Sequence, residues 1–230
     1  MNGMFLVLEG GDGSGKSTQL ARLADFFRKT GKKPVALHFP RLDAAPYGEM
    51  IAAYLRGEFG GLERVHPRLA ALLYALDRRE AAAELRQAIQ AGGTVLADRY
   101  LFSNLAYQGA RTADPAEREK TLAWIEKLEY GQHGIPRPDL TLYLDAPLSF
   151  SLDRLSGGRA GPDREYLRGA ADIHEADRDF QARVREEYLK LAKKRPGEIG
   201  VVDCRDGDGM AGQAAIHSRV VDALRRYGLA

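Results

Sequence analysis

A glycine-rich segment near the N-terminus carries the clearest chemistry in the sequence. Residues 10–17 read G-G-D-G-S-G-K-S, which satisfies the spacing G-x-x-x-x-G-K-S/T in full. Glycines there let successive backbone N–H groups point at one phosphate, and a helix that begins behind them adds partial positive charge. Lys16 would reach the β- and γ-phosphates of a nucleotide, and the Ser17 hydroxyl would ligate Mg²⁺. The segment therefore predicts a nucleotide-binding loop and leaves the phosphate acceptor open.

A second candidate group follows the third predicted strand. Asp98, Arg99 and Tyr100 come directly after residues 94–97, and ligands of parallel sheets bind at the carboxyl edge of the strands. The aspartate could hold Mg²⁺ or its waters, or accept a hydroxyl proton, and the arginine could clamp phosphate oxygens. A salt bridge at the end of the strand is the structural alternative.

A third pair lies on a predicted helix. Tyr74 and Arg78 are four residues apart and so share one face. One helical turn rises about 5.4 Å, which is comparable to the distance from base to phosphate in a nucleoside monophosphate. The aromatic ring could stack on a base while the arginine forks the phosphate. By itself, the pair fits an ordinary amphipathic helix equally well.

The elements that must position these residues alternate along the chain. Strands are predicted at 4–9, 34–39, 94–97, 139–144 and 199–203, and helices at 16–29, 47–56, 66–91, 114–130, 147–155, 172–194 and 211–226. This alternation predicts one three-layer α/β domain over 1–230, with a five-stranded parallel sheet and helices on both faces. The polar stretch at about 156–171 is predicted to be a lid. The apolar face of helix 66–91 is assigned to its leucines, Leu69, Leu72, Leu73 and Leu76.

The composition excludes several classes of protein. The 230 residues include 34 Lys and Arg against 32 Asp and Glu, a net charge of +2 that argues against a protein that coats nucleic acid. A single cysteine excludes an intramolecular disulfide. No apolar run reaches the ~18 residues of a membrane span, and the run at 4–8 is too short for a signal peptide. We expect a cytoplasmic protein that binds neither nucleic acid nor membranes.

Four motifs in order carry a family resemblance. They are LEGGDGSGKSTQ at 8–19, FPR at 39–41, LYALDR at 73–78 and DRYLFSNLAYQ at 98–108. Together they resemble the thymidylate kinase (dTMP kinase) family of P-loop nucleoside monophosphate kinases, and other monophosphate kinases do not share the last motif. The resemblance implies the P-loop NTPase fold, transfer of the γ-phosphoryl group of Mg-ATP to dTMP in dTTP biosynthesis, and a homodimer.

The resemblance also implies the role of each matching residue. ATP would contact Gly10, Gly11, Asp12, Gly13, Ser14, Gly15, Lys16, Ser17, Thr18 and Arg154. The dTMP site would comprise Asp12, Phe39, Pro40, Arg41, Tyr74, Arg78, Arg99, Ser103, Asn104, Tyr107, Gln108, Asp172 and Glu175. Metal ligands would be Ser17, Asp98 and Asp12, and the catalytic residues would be Lys16, Asp98, Arg99, Arg159 and Arg164. In this scheme Tyr74 stacks on thymine, and Tyr107 packs under the sugar and disfavours a 2′-hydroxyl.

The family differs in where the cation for phosphoryl transfer lies. One group has an arginine directly after the P-loop aspartate, where this chain has Gly13. The lid here carries arginines instead, so Arg159 and Arg164 are favoured for transfer and Arg154 for a position over adenine. His174 stands between Asp172 and Glu175, where the family usually has an aromatic residue, and its role stays open.

Two alternatives remain at this stage. A kinase for another monophosphate or for a deoxynucleoside would share the loop, although Tyr107 argues against a ribonucleotide and Arg41 would lack a phosphate in a nucleoside kinase. A regulatory P-loop switch would usually carry a guanine-reading N/T-K-x-D motif, which the sequence lacks.

Overall fold

A five-stranded parallel sheet forms the centre of the protein, whose computed structural model describes residues 3–151 and 162–230. The strands are β1 (Met4–Gly10), β2 (Pro34–His38), β3 (Thr94–Asp98), β4 (Leu140–Asp145) and β5 (Ile199–Asp203). They lie in the order β2-β3-β1-β4-β5, and every neighbouring pair is parallel. The predicted α/β class and the five-stranded sheet are confirmed.

Helices cover both faces of this sheet. They are α1 (Lys16–Lys29), α2 (Tyr47–Leu55), α3 (Pro67–Gln90), α4 (Leu101–Ala110), α5 (Pro115–Glu126), α6 (Arg178–Lys194) and α7 (Gln213–Arg226). Side chains alternate along a strand, so Phe5 and Val7 of β1 pack with α3 to α6, whereas Leu6 and Leu8 pack with α1 and α7. Two hydrophobic cores therefore hold β1 and the loop that follows it.

Helix α4 is absent from the sequence prediction, and the reason lies in its burial. All of its residues except Ser103 are buried. A helix that is buried on every side has no exposed polar stripe, so its period cannot be recognised from the sequence. This helix carries most of the fourth motif into the interior of the protein.

The prediction for the apolar face of α3 is wrong. The residues that α3 buries are mostly alanines, whereas Leu69 is 61% exposed. Leu72, Leu73 and Leu76 are only partly buried. Small side chains such as Ala71 and Ala75 let α3 approach its neighbours closely, whereas Leu73 packs only at the edge of a small buried cluster and Leu69 lies on the outside.

Two further helices differ from the prediction. The helix predicted at 114–130 is α5 followed by a π-helix, Lys127–Gln132. The helix predicted from 172 begins at Arg178, after a 3₁₀ helix, Pro162–Leu167, and a loop. Residues 148–151 are helical, and the remainder of the predicted helix 147–155 lies outside the described residues. Two short strands, β6 (Arg205–Asp206) and β7 (Gly209–Met210), form an unpredicted hairpin after β5.

The only cysteine of the chain lies between β5 and this hairpin. Cys204 is fully buried in the core beneath α7, and its thiol donates to the carbonyl of Val202 at 3.4 Å. Burial, assisted by Asp145, raises the pKa of the Cys204 thiol to about 12. The side chain is therefore a small apolar packing unit in the native state.

Candidate active site

The glycine-rich loop joins β1 to the first residue of α1. A side chain at Gly10 would place its Cβ 2.5 Å from Ser14 Oγ, and Gly15 has φ of 89°, a conformation that other residues rarely adopt. Lys16 Nζ donates to the carbonyls of Gly10 at 3.1 Å and Gly11 at 2.9 Å, so its ammonium lies across the loop. The loop thus presents backbone N–H groups, a helix N-terminus and a cation together.

Two oxygen ligands suited to a divalent cation lie beside the loop. Ser17 Oγ donates to Asp98 Oδ2 at 3.4 Å, and within residues 3–151 and 162–230 the buried Asp98 Oδ1 has no hydrogen-bond partner. Burial would raise the pKa of Asp98, but Lys16 and His38 outweigh it and lower that pKa. The described residues contain no cluster of three or more His, Cys, Asp or Glu arranged for a metal. This fits Mg²⁺, which binds one or two protein oxygens and completes its shell with phosphates and waters.

Asp12 and Arg99 form an ion pair at the centre of the site. Arg99 Nη2 donates to Asp12 Oδ1 at 2.5 Å, and Tyr107 OH donates to Asp12 Oδ2 at 3.0 Å. Burial would raise the pKa of Asp12, but the charges of Arg99 and Lys16 hold it well below its usual range. Arg99 also has φ of 66°, which is unusual for a residue other than glycine and marks a constrained position.

A buried carboxylate braces the start of α4, directly after Arg99. Glu9 accepts from the backbone N–H groups of Tyr100 at 2.8 Å and Ser103 at 3.0 Å. It also accepts from Ser103 Oγ at 2.6 Å and Tyr188 OH at 2.8 Å. Burial raises the pKa of Glu9, although Arg99 and these bonds oppose the rise. Glu9 therefore ties β1, α4 and α6 together directly behind the site.

The far end of the site contains Arg78 in an ion pair that the sequence does not reveal. Arg78 donates through Nε to Glu129 Oε2 at 2.6 Å and through Nη2 to Glu129 Oε1 at 2.7 Å, and both side chains are almost fully buried. A buried guanidinium needs such a partner. The helical spacing predicted that the Arg78 guanidinium binds a phosphate, but two of its nitrogens bind the Glu129 carboxylate instead. Neither of these hydrogen bonds uses Nη1.

Asn104 faces the same cavity with a defined polarity. Its Nδ2 donates to the carbonyl of Ala71 at 3.0 Å and to Glu129 Oε1 at 2.8 Å. Its Oδ1 is buried, and no described residue donates to it. Asn104 therefore offers a ligand a hydrogen-bond acceptor, next to the guanidinium of Arg78.

Arg41 is fixed by α3 before any ligand binds. Its Nε donates to Asp77 Oδ1 at 2.9 Å, its backbone N–H to Asp77 Oδ2 at 3.0 Å, and its Nη2 to the carbonyl of Asp77 at 2.8 Å. Asp77 is fully buried, whereas the Arg41 side chain keeps 27% of its surface exposed. The pair preorganises a cation at the cavity wall.

Asp172 and His174 close one side of the cavity. Asp172 accepts from Tyr166 OH at 2.7 Å and from the backbone N–H of His174 at 2.7 Å, and His174 Nε2 lies 3.2 Å from Tyr54 OH. Burial, reinforced by Asp12, raises the pKa of Asp172 to about 7. Burial, reinforced by Arg111, lowers the pKa of His174 to about 3. His174 therefore favours its neutral form at neutral pH, and Asp172 ionises less readily than an ordinary carboxyl.

One cavity of about 530 Å³ connects all these parts. The predicted site residues that line it are Asp12, Gly13, Gly15, Lys16, Ser17, Thr18, Phe39, Pro40, Arg41, Tyr74, Arg78, Asp98, Arg99, Ser103, Asn104, Tyr107, Gln108, Asp172 and Glu175. Gly10, Gly11 and Ser14 belong to the loop but are not among the lining residues. Arg154 and Arg159 lie outside the described residues, and so does the side chain of Arg164.

Comparison with known proteins finds similar sequences over most of the chain. A family profile described as "Thymidylate kinase" matches residues 8–207. The chain is 34% identical to the thymidylate kinase of Mycobacterium tuberculosis (strain H37Rv) over 89% of this chain and 93% of the relative. It is 38% identical to that of Clavibacter sepedonicus, over 88% of each chain.

A solved structure is similar across nearly the whole fold. The thymidylate kinase of Candida albicans superposes with a TM-score of 0.73 at 25% identity, covering 99% of this chain and 93% of that one. The chain belongs to the thymidylate kinase family. Like the other thymidylate kinases, it has the P-loop NTPase fold and phosphorylates dTMP to dTDP, with ATP as the phosphoryl donor and Mg²⁺ as cofactor.

Sequence reasoning missed several residues of this thymidylate kinase site. His38 and Tyr166 line the cavity, and Glu9, Asp77 and Glu129 hold residues that line it. Glu9 and Asp77 could have been recognised from the sequence, because each is an acidic residue inside one of the four motifs. Glu129 had none, because it lies far along the chain in an irregular helix. None of the described helices is long and apolar enough to cross a membrane.

Proposed function

We propose that ATP binds at the glycine-rich loop and dTMP at the Tyr74–Arg78–Asn104 end of the same cavity. The observation that carries this proposal is the polarity of the far end, where a guanidinium donor lies beside an amide acceptor. Thymine offers a carbonyl oxygen, O4, next to an N–H group, N3, and so matches this pair. Cytosine offers an amino donor next to a bare nitrogen acceptor, which reverses the pattern.

The remaining polar residues suit the sugar and phosphate of dTMP. Arg41 and Arg99 would bind the acceptor phosphate from two sides, because both guanidiniums are already oriented by carboxylates. Tyr107 would pack under the deoxyribose, and Asp12 would accept from its 3′-hydroxyl. Tyr74 would stack on the base.

The phosphoryl transfer itself depends on positioning and on charge neutralisation. Ser17 and Asp98 would hold Mg²⁺, which neutralises phosphate charge when bound. Lys16 would bind the β- and γ-phosphates, and Arg99 would lie between donor and acceptor. Residues 156–171 are proposed as a lid that brings Arg159 and Arg164 to the transferring group and Arg154 over adenine. A well-placed arginine of this kind raises the rate about 10³–10⁵-fold.

An acceptor panel tests the assignment of the base. ADP release from Mg-ATP is measured with dTMP, dUMP, dCMP, UMP and thymidine as acceptors. We expect kcat/KM to be highest for dTMP and to fall most for dCMP and thymidine, since one reverses the base pattern and the other lacks the phosphate. Turnover of dCMP equal to that of dTMP would contradict the proposed base site.

We also propose a cytoplasmic homodimer of single-domain protomers that associate through helices. Support comes from α3, where Leu69 is exposed and Leu72 and Leu76 are only partly buried, so leucines remain towards the outside. Light scattering should give twice the chain mass, and Leu69→Lys should shift the species towards the monomer. A monomeric wild-type protein at micromolar concentration would overturn this part of the proposal.

A further inference from the structure

A buried carboxylate lies directly behind the two residues proposed to recognise the base. Glu129 is fully buried and is absent from the cavity wall, so it cannot touch dTMP. We propose that Glu129 is a positioning residue that fixes the hydrogen-bond polarity of Arg78 and Asn104 and thereby the preference for thymine over cytosine. This inference rests on the proposed function and deepens it.

The contacts of Glu129 leave Asn104 only one favourable orientation. Both carboxylate oxygens accept from Arg78, and Oε1 also accepts from Asn104 Nδ2 at 2.8 Å. On its other side the same Nδ2 meets the carbonyl of Ala71. Two acceptors thus face the Nδ2 end of the amide, and a flipped amide would set oxygen against oxygen. Asn104 Oδ1 therefore points away from both acceptors and is the buried acceptor that no described residue uses.

The same contacts fix what Arg78 can offer. Glu129 takes Nε and Nη2, so the guanidinium cannot swing its fork towards the cavity without leaving a carboxylate unpaired in the core. The guanidinium also lies 6.0 Å from the centre of the Tyr100 ring. The donor at Nη1 is therefore held in one direction, and Arg78 and Asn104 are kept together because both donate to Glu129 Oε1.

The backbone that carries Glu129 is itself held in place. Glu129 belongs to the π-helix Lys127–Gln132, and the N–H of His133 donates to the carbonyl of Leu128 at 2.8 Å, five residues earlier. The N–H of Ile135 donates to the carbonyl of Glu129 at 3.1 Å. Such local widenings of a helix are frequent at functional sites, and this one brings a carboxylate beneath the base end of the cavity.

Glu129→Gln is the direct test, because it keeps the shape and replaces one acceptor by a donor. In either orientation the new amide sets an N–H group against Arg78 or Asn104. We expect kcat/KM for dTMP to fall, and the ratio of kcat/KM for dTMP to that for dCMP to fall about tenfold or more, as an unsatisfied buried donor implies. The KM for ATP should change less than twofold. An unchanged dTMP-to-dCMP ratio would overturn the inference.

Glu187→Gln is the matched control. Glu187 is also buried and ion-paired, with Arg118 at 3.4 Å and Lys190 at 2.8 Å, but it does not line the cavity. Its variant should keep the wild-type ratio even where stability falls. If the wild-type enzyme shows no preference for dTMP, the proposed base site itself is wrong. If the preference persists in Glu129→Gln, only the proposed role of Glu129 is wrong.

A second test uses a double variant, so it does not depend on whether the single variant Glu129→Gln folds. Asn104→Asp sets a carboxylate against Glu129 and the carbonyl of Ala71, and adding Glu129→Gln supplies a donor to that carboxylate. Calorimetry should show dTMP binding about tenfold tighter in the double variant than in Asn104→Asp, a coupling of the size found between contacting residues. Weaker or equal binding in the double variant would mean that the two side chains act independently, and would overturn the inference.

Discussion

At the scale of single residues, the three described arginines that line the cavity are already paired with carboxylates. Arg41 pairs with Asp77, Arg99 with Asp12 and Arg78 with Glu129. Each guanidinium is thereby oriented before substrate arrives, which lowers the entropy cost of binding. The acidic partners are therefore as important for phosphate and base recognition as the arginines.

Asp77→Asn tests this preorganisation. We expect the KM for dTMP to rise about tenfold and the KM for ATP to stay within twofold, because only Arg41 loses its partner. The free energy of unfolding should fall by about 3 kcal/mol, as for other broken buried pairs. Steady-state kinetics and urea unfolding measure these effects, with Asp25→Asn in the exposed Arg28–Asp25 pair as the control. An equal rise in both KM values would show that Arg41 does not serve the dTMP side alone.

At the scale of elements, α4 is attached to the sheet through one carboxylate. Glu9 near the end of β1 accepts from the backbone N–H groups of Tyr100 and Ser103 at the start of α4 and from the Tyr188 hydroxyl of α6. These bonds fix the end of β3, where Arg99 keeps its constrained backbone. The geometry of the phosphate clamp is thus set by how three elements meet.

Glu9→Gln should loosen this junction. The amide has one acceptor where the carboxylate has two, so at least one of the four donors is left unsatisfied. We expect unfolding to cost about 2 kcal/mol less and kcat to fall more than the KM for ATP rises. Tyr188→Phe, which removes one donor and leaves the carboxylate intact, should lose about 1 kcal/mol with nearly normal kcat. Normal kcat in Glu9→Gln would show that the brace is only structural.

The elements also explain how far the sequence could predict the site. The strand–loop–helix at 4–29 was predictable, because glycine spacing and an apolar stripe of Leu23, Ala24 and Phe27 specify it locally. The cavity lining followed from motifs. The carboxylates that hold these lining residues could not be predicted, because a pair such as Glu129 and Arg78 lies 51 positions apart in the sequence and meets only through tertiary packing. A π-helix leaves no periodic signal.

At the scale of the whole molecule, Asp172 and His174 make the effect of pH on stability unusual. Burial raises the pKa of Asp172 from 3.8 to about 7 and lowers that of His174 from 6.5 to about 3. Between about pH 4 and 6.5 the folded state holds a proton on Asp172, and the unfolded state holds one on His174. Asp172 alone makes the free energy of unfolding fall as pH rises, whereas His174 alone makes it rise. Over this range the two residues bind the same number of protons in both states, so their effects on the pH dependence cancel.

Single variants should reveal the two opposing slopes. His174→Gln leaves only Asp172, so the free energy of unfolding should decrease from pH 4 to 7 relative to the wild type. Asp172→Asn leaves only His174, so the free energy should increase from pH 4 to 6.5. Each slope approaches about 1.4 kcal/mol per pH unit at most. Urea unfolding across this pH range measures them, and slopes of the same sign in both variants would contradict the opposite shifts.

The buried thiol of Cys204 gives the chain a built-in reporter of its own opening. Thiol reagents attack the thiolate, which here is both shielded and disfavoured by a pKa raised to about 12. Labelling with a maleimide or an aromatic disulfide must therefore wait until β5 and α7 separate. Because the sequence has only one cysteine, the rate of thiol modification measures the local exposure of this region without any engineered probe. Ligands that close the cavity should slow modification only if they also stabilise the packing of β5 against α7.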